Sequence, residues 1–262
     1  MNQRKNYLIT FYFTGMAPLD AAGLGLKNKT FLKFLMREVQ ERGLYIEPVI
    51  KQAIENGAFN LLHNSVFSGK KRNLVFNGKH FQTWDDLIKF YNEKPEKDRN
   101  YKSVYQNANI TNELLEQMVD NGSLRIIPQE ESASLKSNLK HWFNPIGLVN
   151  SKNLIIHFLG NAGYTKPCFT LSSISKEHGQ LKKLKKVNRL DLAKCYNQYS
   201  IDDASKSKMY FEFEGICYQA QVLMYGPSAA VFLVENFHEI PAFYVRSKYK
   251  KLVIKYGVFL TL

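Results

Sequence analysis

Asn73-Leu74-Val75-Phe76-Asn77-Gly78-Lys79-His80-Phe81 runs directly into Gln82-Thr83-Trp84-Asp85-Asp86-Leu87, and these residues set how the middle of the chain is built. Asn-Gly between two short apolar runs is the strongest short-range hairpin signal, because both central residues of a type I′ turn take positive φ. Thr83 then has the chemistry of a helix N-cap, and Asp86 three residues on completes a capping box with Asp in place of Glu. The spacing of Trp84, Leu87, Ile88 and Tyr91 predicts a helix from Trp84 to Glu93 with one buried face. Lys94 to Arg99 reads as a loop that does not continue it.

A second helix is expected from Tyr101 to Ala108 around a buried Val104. A third is capped by Thr111, buries Leu114, Leu115 and Met118, and stops at Asn121-Gly122. Charge separates the two. The third helix exposes Glu113, Glu116 and Asp120, whereas the second offers Lys102, Ser103, Tyr105, Gln106 and Asn107, which suit phosphates and base edges. The second is therefore the expected reading helix, with Gln106 and Asn107 placed to meet bases and Lys79 and Tyr101 beside it.

The residues Asn77-Gly78-Lys79, Thr83-Trp84-Asp85-Asp86-Leu87, Tyr101-Lys102-Ser103-Val104-Tyr105 and Ile110-Thr111 through Leu115 resemble the short helix-turn-helix modules appended to intron-encoded homing endonucleases and some restriction enzymes. The resemblance covers residues 73–122 and lacks the arginine and tryptophan usual just after the second helix. It implies a module that binds double-stranded DNA.

At 262 residues the chain is long enough for a substantial core, and 45% hydrophobic with 13% aromatic residues marks a folded, not a disordered, protein. Its 36 Lys and Arg against 23 Asp and Glu give a net charge of +13, which favours a polyanionic partner. Cys168, Cys195 and Cys217 are too few and too scattered for a disulfide framework or a zinc knuckle, so a reducing cytoplasm is the expected home. Tyr7 to Phe13 is aromatic and β-branched and reads as a first strand, not a signal peptide. No apolar run approaches the roughly 20 residues of a membrane span.

Gly23-Leu24-Gly25 reads as a turn. Thr30 to Arg42 is an amphipathic helix with Phe31, Phe34, Leu35 and Val39 inward, and Glu47 to Glu55 a second one with Pro48 in its first turn and Gly57 after its end. Lys70, Lys71 and Arg72 lead into the hairpin, where they suit backbone phosphates. Leu124 to Ile127 is strand-like, and the polar, serine-rich Gln129 to Asn138 reads as a linker. This divides the chain into an N-terminal region 1–128 and a β-rich, presumed catalytic region 139–262.

In that second region Leu154–Leu159, Cys168–Leu171, Met209–Phe213, Ile216–Met224, Ala230–Val234, Ala242–Arg246 and Lys251–Thr261 are expected as strands, mostly antiparallel. A long basic helix from Gln180 to Gln198 interrupts them, with Lys182, Lys183, Lys185, Lys186 and Arg189 around an apolar stripe, suited to phosphates. The expected class is α+β: a helical N-terminal half carrying the hairpin and three-helix module, then a mostly antiparallel sheet.

The best carboxylate pair for metal-dependent cleavage is Glu212 and Glu214, two apart on a strand and therefore on one face, with Mg2+ as the implied ion. A metal-free alternative places His238 as acid or base, oriented by Glu239. Lysine nucleophiles such as Lys248, Lys250 or Lys255 would serve a lyase through a Schiff base. Three functions fit these residues: a restriction-type, sequence-specific DNA-cleaving enzyme, as a monomer or a homodimer; a DNA glycosylase with lyase activity acting without metal; and a non-catalytic DNA-binding regulator.

Overall fold

The computed structural model describes residues 26, 29–67, 74–150, 152–163 and 195–248. Within them helices alternate with three small antiparallel sheets, an α+β arrangement. The expected strands at 7–13, 168–171 and 251–261, the Gly23-Leu24-Gly25 turn, the basic residues 70–72 and the basic helix up to residue 194 lie outside the described residues. The end of that helix, Tyr196–Gln198, is a 3-10 turn.

Helix α1 (Lys29–Glu41) and helix α2 (Pro48–Asn56) form where the apolar spacing and the terminal Pro and Gly place them. Gly57 closes α2 in the left-handed conformation with its N–H on the Ala53 carbonyl. The buried stripe of α1 is Leu32, Leu35 and Val39. Phe34, expected inside, is exposed and meets Tyr244 edge to face across 6.3 Å. The core accepts the aliphatic residues and leaves the bulkier ring on its rim.

The hairpin of β1 (Leu74–Phe76) and β2 (Lys79–Phe81) pairs Phe76 with Lys79 around Asn77 and Gly78, both at positive φ. Helix α3 (Trp84–Glu93) begins with the full reciprocal capping box between Thr83 and Asp86. Three local expectations then change. Glu96–Arg99 makes a short helical turn, α4, in place of a loop. The second helix shortens to α5 (Lys102–Gln106), and the third, α6 (Ala108–Asp120), begins three residues before Thr111. Thr111 is not a cap: it is buried, and its hydroxyl donates to the carbonyls of Val104 and Asn107, each at 3.0 Å, tying α6 back to α5.

Strand β3 (Leu124–Ile127) enters a three-stranded sheet in the order β3-β7-β6, with β6 (Tyr210–Phe213) and β7 (Ile216–Ala220) joined by the Glu214-Gly215 turn. The expected linker is instead helix α7 (Gln129–Ser137), with Glu130 and Glu131 in its first turn and Lys136 in its last, the charge order that a helix dipole favours. Strands β4 (Ile146–Val149) and β5 (Asn153–Ile156) form a separate hairpin, and α8 (Asp203–Lys206) is a short turn capped by Asp202.

The largest correction falls on residues 230–248, where two strands were expected and one helix, α9 (Ala230–Lys248), runs through Pro241. A continuous apolar run has no period of its own, so a helix buried on most sides reads like a pair of core strands. A single apolar cluster takes in Leu32 of α1, Leu87 of α3, Val104 of α5, Phe213 of β6 and Leu233 of α9. Among the described residues no helix is long and apolar enough to cross a membrane.

His238 sits inside this core on α9, at 3% exposure, hydrogen-bonded to the Tyr199 hydroxyl. Burial pulls its imidazole down to about 4, so at neutral pH it is uncharged. Because the folded state holds the proton more weakly than the unfolded state, stability is complete above the ordinary histidine range and is lost as pH falls toward 4. The expected loss over that window is about 3 kcal/mol. Urea unfolding at stepped pH values checks it: the wild-type midpoint falls below pH 6, and His238→Gln flattens that part of the curve.

Candidate nucleic-acid interface

Tyr101 is the point where three parts of the chain meet at the surface. The preceding Asn100 is a buried bridge: its amide nitrogen donates to the Glu212 carbonyl at 2.7 Å and to the Tyr105 hydroxyl at 3.2 Å, and its amide oxygen accepts from the Ile146 N–H at 3.1 Å. Tyr101 then donates its own N–H to the Ile146 carbonyl at 2.9 Å, which fixes the start of α5 against β4. Its ring lies over Gly147, where a Cβ would approach Tyr101 Cδ2 to 3.3 Å.

The Tyr101 hydroxyl reaches Asn77 Oδ1 in the hairpin turn at 3.3 Å and is hydrogen-bonded to His157 Nδ1. His157 follows β5 and is aimed by its backbone N–H on the Pro145 carbonyl and by its ring, 4.6 Å from that of Phe76 and 5.5 Å from that of Tyr101. Burial raises the Tyr101 phenol while the Asn77 amide opposes the rise. Burial lowers the His157 imidazole, which leaves it neutral at pH 7 and able to accept a proton.

Around this point the expected DNA-contacting residues divide. Lys102 and Gln106 are exposed on α5. Lys79 is exposed on β2 with its ammonium 4.4 Å from the Phe90 ring centre. The other members turn inward. Ser103 Oγ accepts from the Leu148 N–H at 3.0 Å, Tyr105 donates to Glu96 Oε1 at 2.7 Å and packs on Phe213, and Asn107 Nδ2 donates to the Ser103 carbonyl at 3.0 Å. The face of α5 that sequence reasoning assigned to bases is in good part the face that fastens α5 to the protein. Lys182, Lys183, Lys185, Lys186 and Arg189 lie outside the described residues, as do Lys70, Lys71 and Arg72.

The two acidic residues of the expected catalytic pair have different surroundings. Glu212 is 5% exposed, with one carboxylate oxygen on Arg99 and the other on Lys136. Both cations also lie over the Phe143 ring, at 5.6 and 5.7 Å, and Arg99 donates to the Tyr91 carbonyl at 3.0 Å. Glu214 is an exposed turn residue at φ 49°, accepting from Asn112 at 3.1 Å. A hard cation needs several oxygens free to converge, and a Glu212 carboxylate held on both sides by cations does not fit Mg2+. Among the described residues no group of three or more His, Cys, Asp or Glu is placed to hold a metal. Glu212 forms part of the wall of an open cleft of about 850 Å³, with Lys89, Lys94, Glu96 and Lys136. Behind it Cys217 is buried, its thiol pushed up to about 12 by burial and by Glu212. His238 is enclosed in the core, and the adjoining Glu239 is half-buried.

Sequence reasoning missed His157, Arg99, Lys136 and Lys208. Lys208 is half-buried, donates to the Lys140 carbonyl and lies 4.7 Å from the Trp142 ring centre. Burial and the Lys140 charge lower its ammonium. None of these four has a distinctive local motif: His157 ends an apolar strand, and Arg99 sits among charged residues of both signs. No protein-family profile and no curated protein matches this chain.

Proposed function

We propose that the chain binds double-stranded DNA and breaks its backbone, in the manner of a sequence-specific restriction-type enzyme. The observation that carries the reading is the exposed Tyr101, whose hydroxyl is shared by the hairpin turn and His157, with Lys102 and Gln106 on the adjoining turn of α5. A net charge of +13 supports a phosphate-bearing partner. In this reading Lys102 meets the backbone and Gln106 a base edge, because its neighbour Asn107 already bonds within the protein.

Affinity for duplex DNA is expected to fall at least roughly tenfold between about 50 and 200 mM salt, through counterion release. Lys102→Gln weakens cognate and random duplexes alike, whereas Gln106→Ala narrows the difference between them by roughly 1 to 3 kcal/mol. Fluorescence anisotropy titrations at several salt concentrations measure both. A salt-independent affinity would remove the basis of the reading.

The lyase alternative is favoured by one observation, the half-buried Lys208 beside the charge of Lys140, a setting that lowers its ammonium and makes the amine more nucleophilic than an exposed lysine. One experiment separates the two. Plasmid DNA is incubated with the protein in Mg2+ or in EDTA, with and without borohydride. Strand breaks without borohydride trapping support backbone cleavage, alkali-labile sites and a borohydride-trapped adduct support the lyase, and bound but intact DNA leaves a regulator.

A further inference from the structure

We propose that Tyr101 and His157 form a nucleophile and base pair that opens a DNA phosphodiester by transesterification onto the Tyr101 hydroxyl. The inference rests on the DNA-binding reading above and adds the reacting groups.

Nucleophilic attack by a phenol needs an accessible oxygen, a base on its proton and a fixed direction of approach. Tyr101 is 41% exposed, at the surface where a large substrate can meet it. His157 Nδ1 is hydrogen-bonded to that hydroxyl, and the imidazole is neutral at pH 7 because burial disfavours its charged form. The tautomer that leaves Nδ1 free carries its proton on Nε2. Direction is fixed from both sides: Tyr101 by its N–H on Ile146 and its ring over Gly147, His157 by its N–H on Pro145 and its ring against Phe76. Asn77 Oδ1, 3.3 Å from the hydroxyl, is an acceptor that holds the phenol at the hairpin turn until its proton passes to His157.

In the step itself a lone pair of the Tyr101 oxygen forms a bond to phosphorus while the bond from phosphorus to one deoxyribose oxygen breaks. The phenolic proton moves to His157 Nδ1, and the resulting imidazolium returns it to the departing oxygen. The products are a phosphotyrosyl ester on the protein and a strand ending in a free hydroxyl. The phosphodiester bond count is unchanged, so the reverse reaction reseals the strand, and attack by water releases it. Lys102, next in the chain and exposed, supplies positive charge near the phosphate.

The test is capture of the covalent product. The full chain is incubated with duplex and with single-stranded oligonucleotides carrying a label at either end, in Mg2+ and in EDTA, then denatured in detergent and run on a gel. A parallel native gel measures binding. The expected result is a labelled, protease-sensitive band at the mobility of the protein, which Tyr101→Phe abolishes and Tyr45→Phe, at an exposed residue of the loop between α1 and α2, preserves. His157→Asn slows its formation by roughly a hundredfold or more and removes the rise in rate as histidine deprotonates. Mass spectrometry of the wild-type adduct assigns the attached residue without depending on the folding of any variant. An adduct on another residue, or DNA bound with no adduct under any condition, overturns the inference and leaves DNA binding standing. Absence of DNA binding in the native gel overturns both.

Discussion

Glu212→Ala is expected to lower the free energy of unfolding by about 3 to 5 kcal/mol, because it strands a buried guanidinium. The Arg99 side chain is fully buried, and Glu212 is its carboxylate partner. Without that carboxylate the charge keeps the Tyr91 carbonyl, and the Nε–H, which already has no hydrogen-bond partner, remains unsatisfied. Lys136, the other partner, is partly exposed and can take up water, so Lys136→Met costs about 1 kcal/mol or less. Denaturant unfolding of the three proteins gives the comparison. A Glu212→Ala protein as stable as wild type would show that the Arg99 pair contributes nothing to the fold.

Gly226→Ala is expected to be at least as damaging, on the order of 4 kcal/mol or more, with a fall in melting temperature of roughly 10 °C. Gly226 has φ 130°, a conformation that side chains avoid, and a Cβ there would lie 1.6 Å from the carbonyl oxygen of Ile156. The neighbourhood has little freedom to yield. Ile156 donates its N–H to the Tyr225 carbonyl, and Asn161 bonds both the Gly226 carbonyl and the Ser228 N–H. Any adjustment moves the end of β5 and hence His157, so DNA affinity or cleavage should fall along with stability. Calorimetry and the anisotropy titration on the same preparation check both. A variant with wild-type melting would mean that this turn repacks freely.

The features legible in the sequence were those set by neighbours in the chain. Asn77-Gly78 made its turn, Thr83 and Asp86 made their box, and Pro48 and Gly57 bounded α2, because each depends on a few consecutive residues. Helix α7 was legible in principle: Pro128, then Glu130 and Glu131, then Lys136 is a helix signature that its serine content masked. The candidate site was much less legible. Arg99 and Glu212 are 113 positions apart, and Tyr101 and His157 are 56 apart. Glu212 looked like one of two acids on an open strand face because β6 reads as alternating, whereas all four of its residues are buried. The ends of the β6–β7 turn are also occupied: the Glu96 carboxylate accepts the N–H groups of Glu214 and Gly215, both at 2.9 Å. An acid from α4 thus occupies the kind of amide pair that binds anions elsewhere.

The Asn100 bridge has a consequence for the order in which the protein is made. Its partners are Ile146, 46 residues downstream, and Glu212, 112 residues downstream. During synthesis the segment holding Tyr101 leaves the ribosome long before β6 exists, so the hairpin and α3 can form early while α5 waits without its anchor. Contacts of such long sequence separation close late and slowly. The surface that looks from its sequence like a detachable cassette is therefore completed by the far half of the chain.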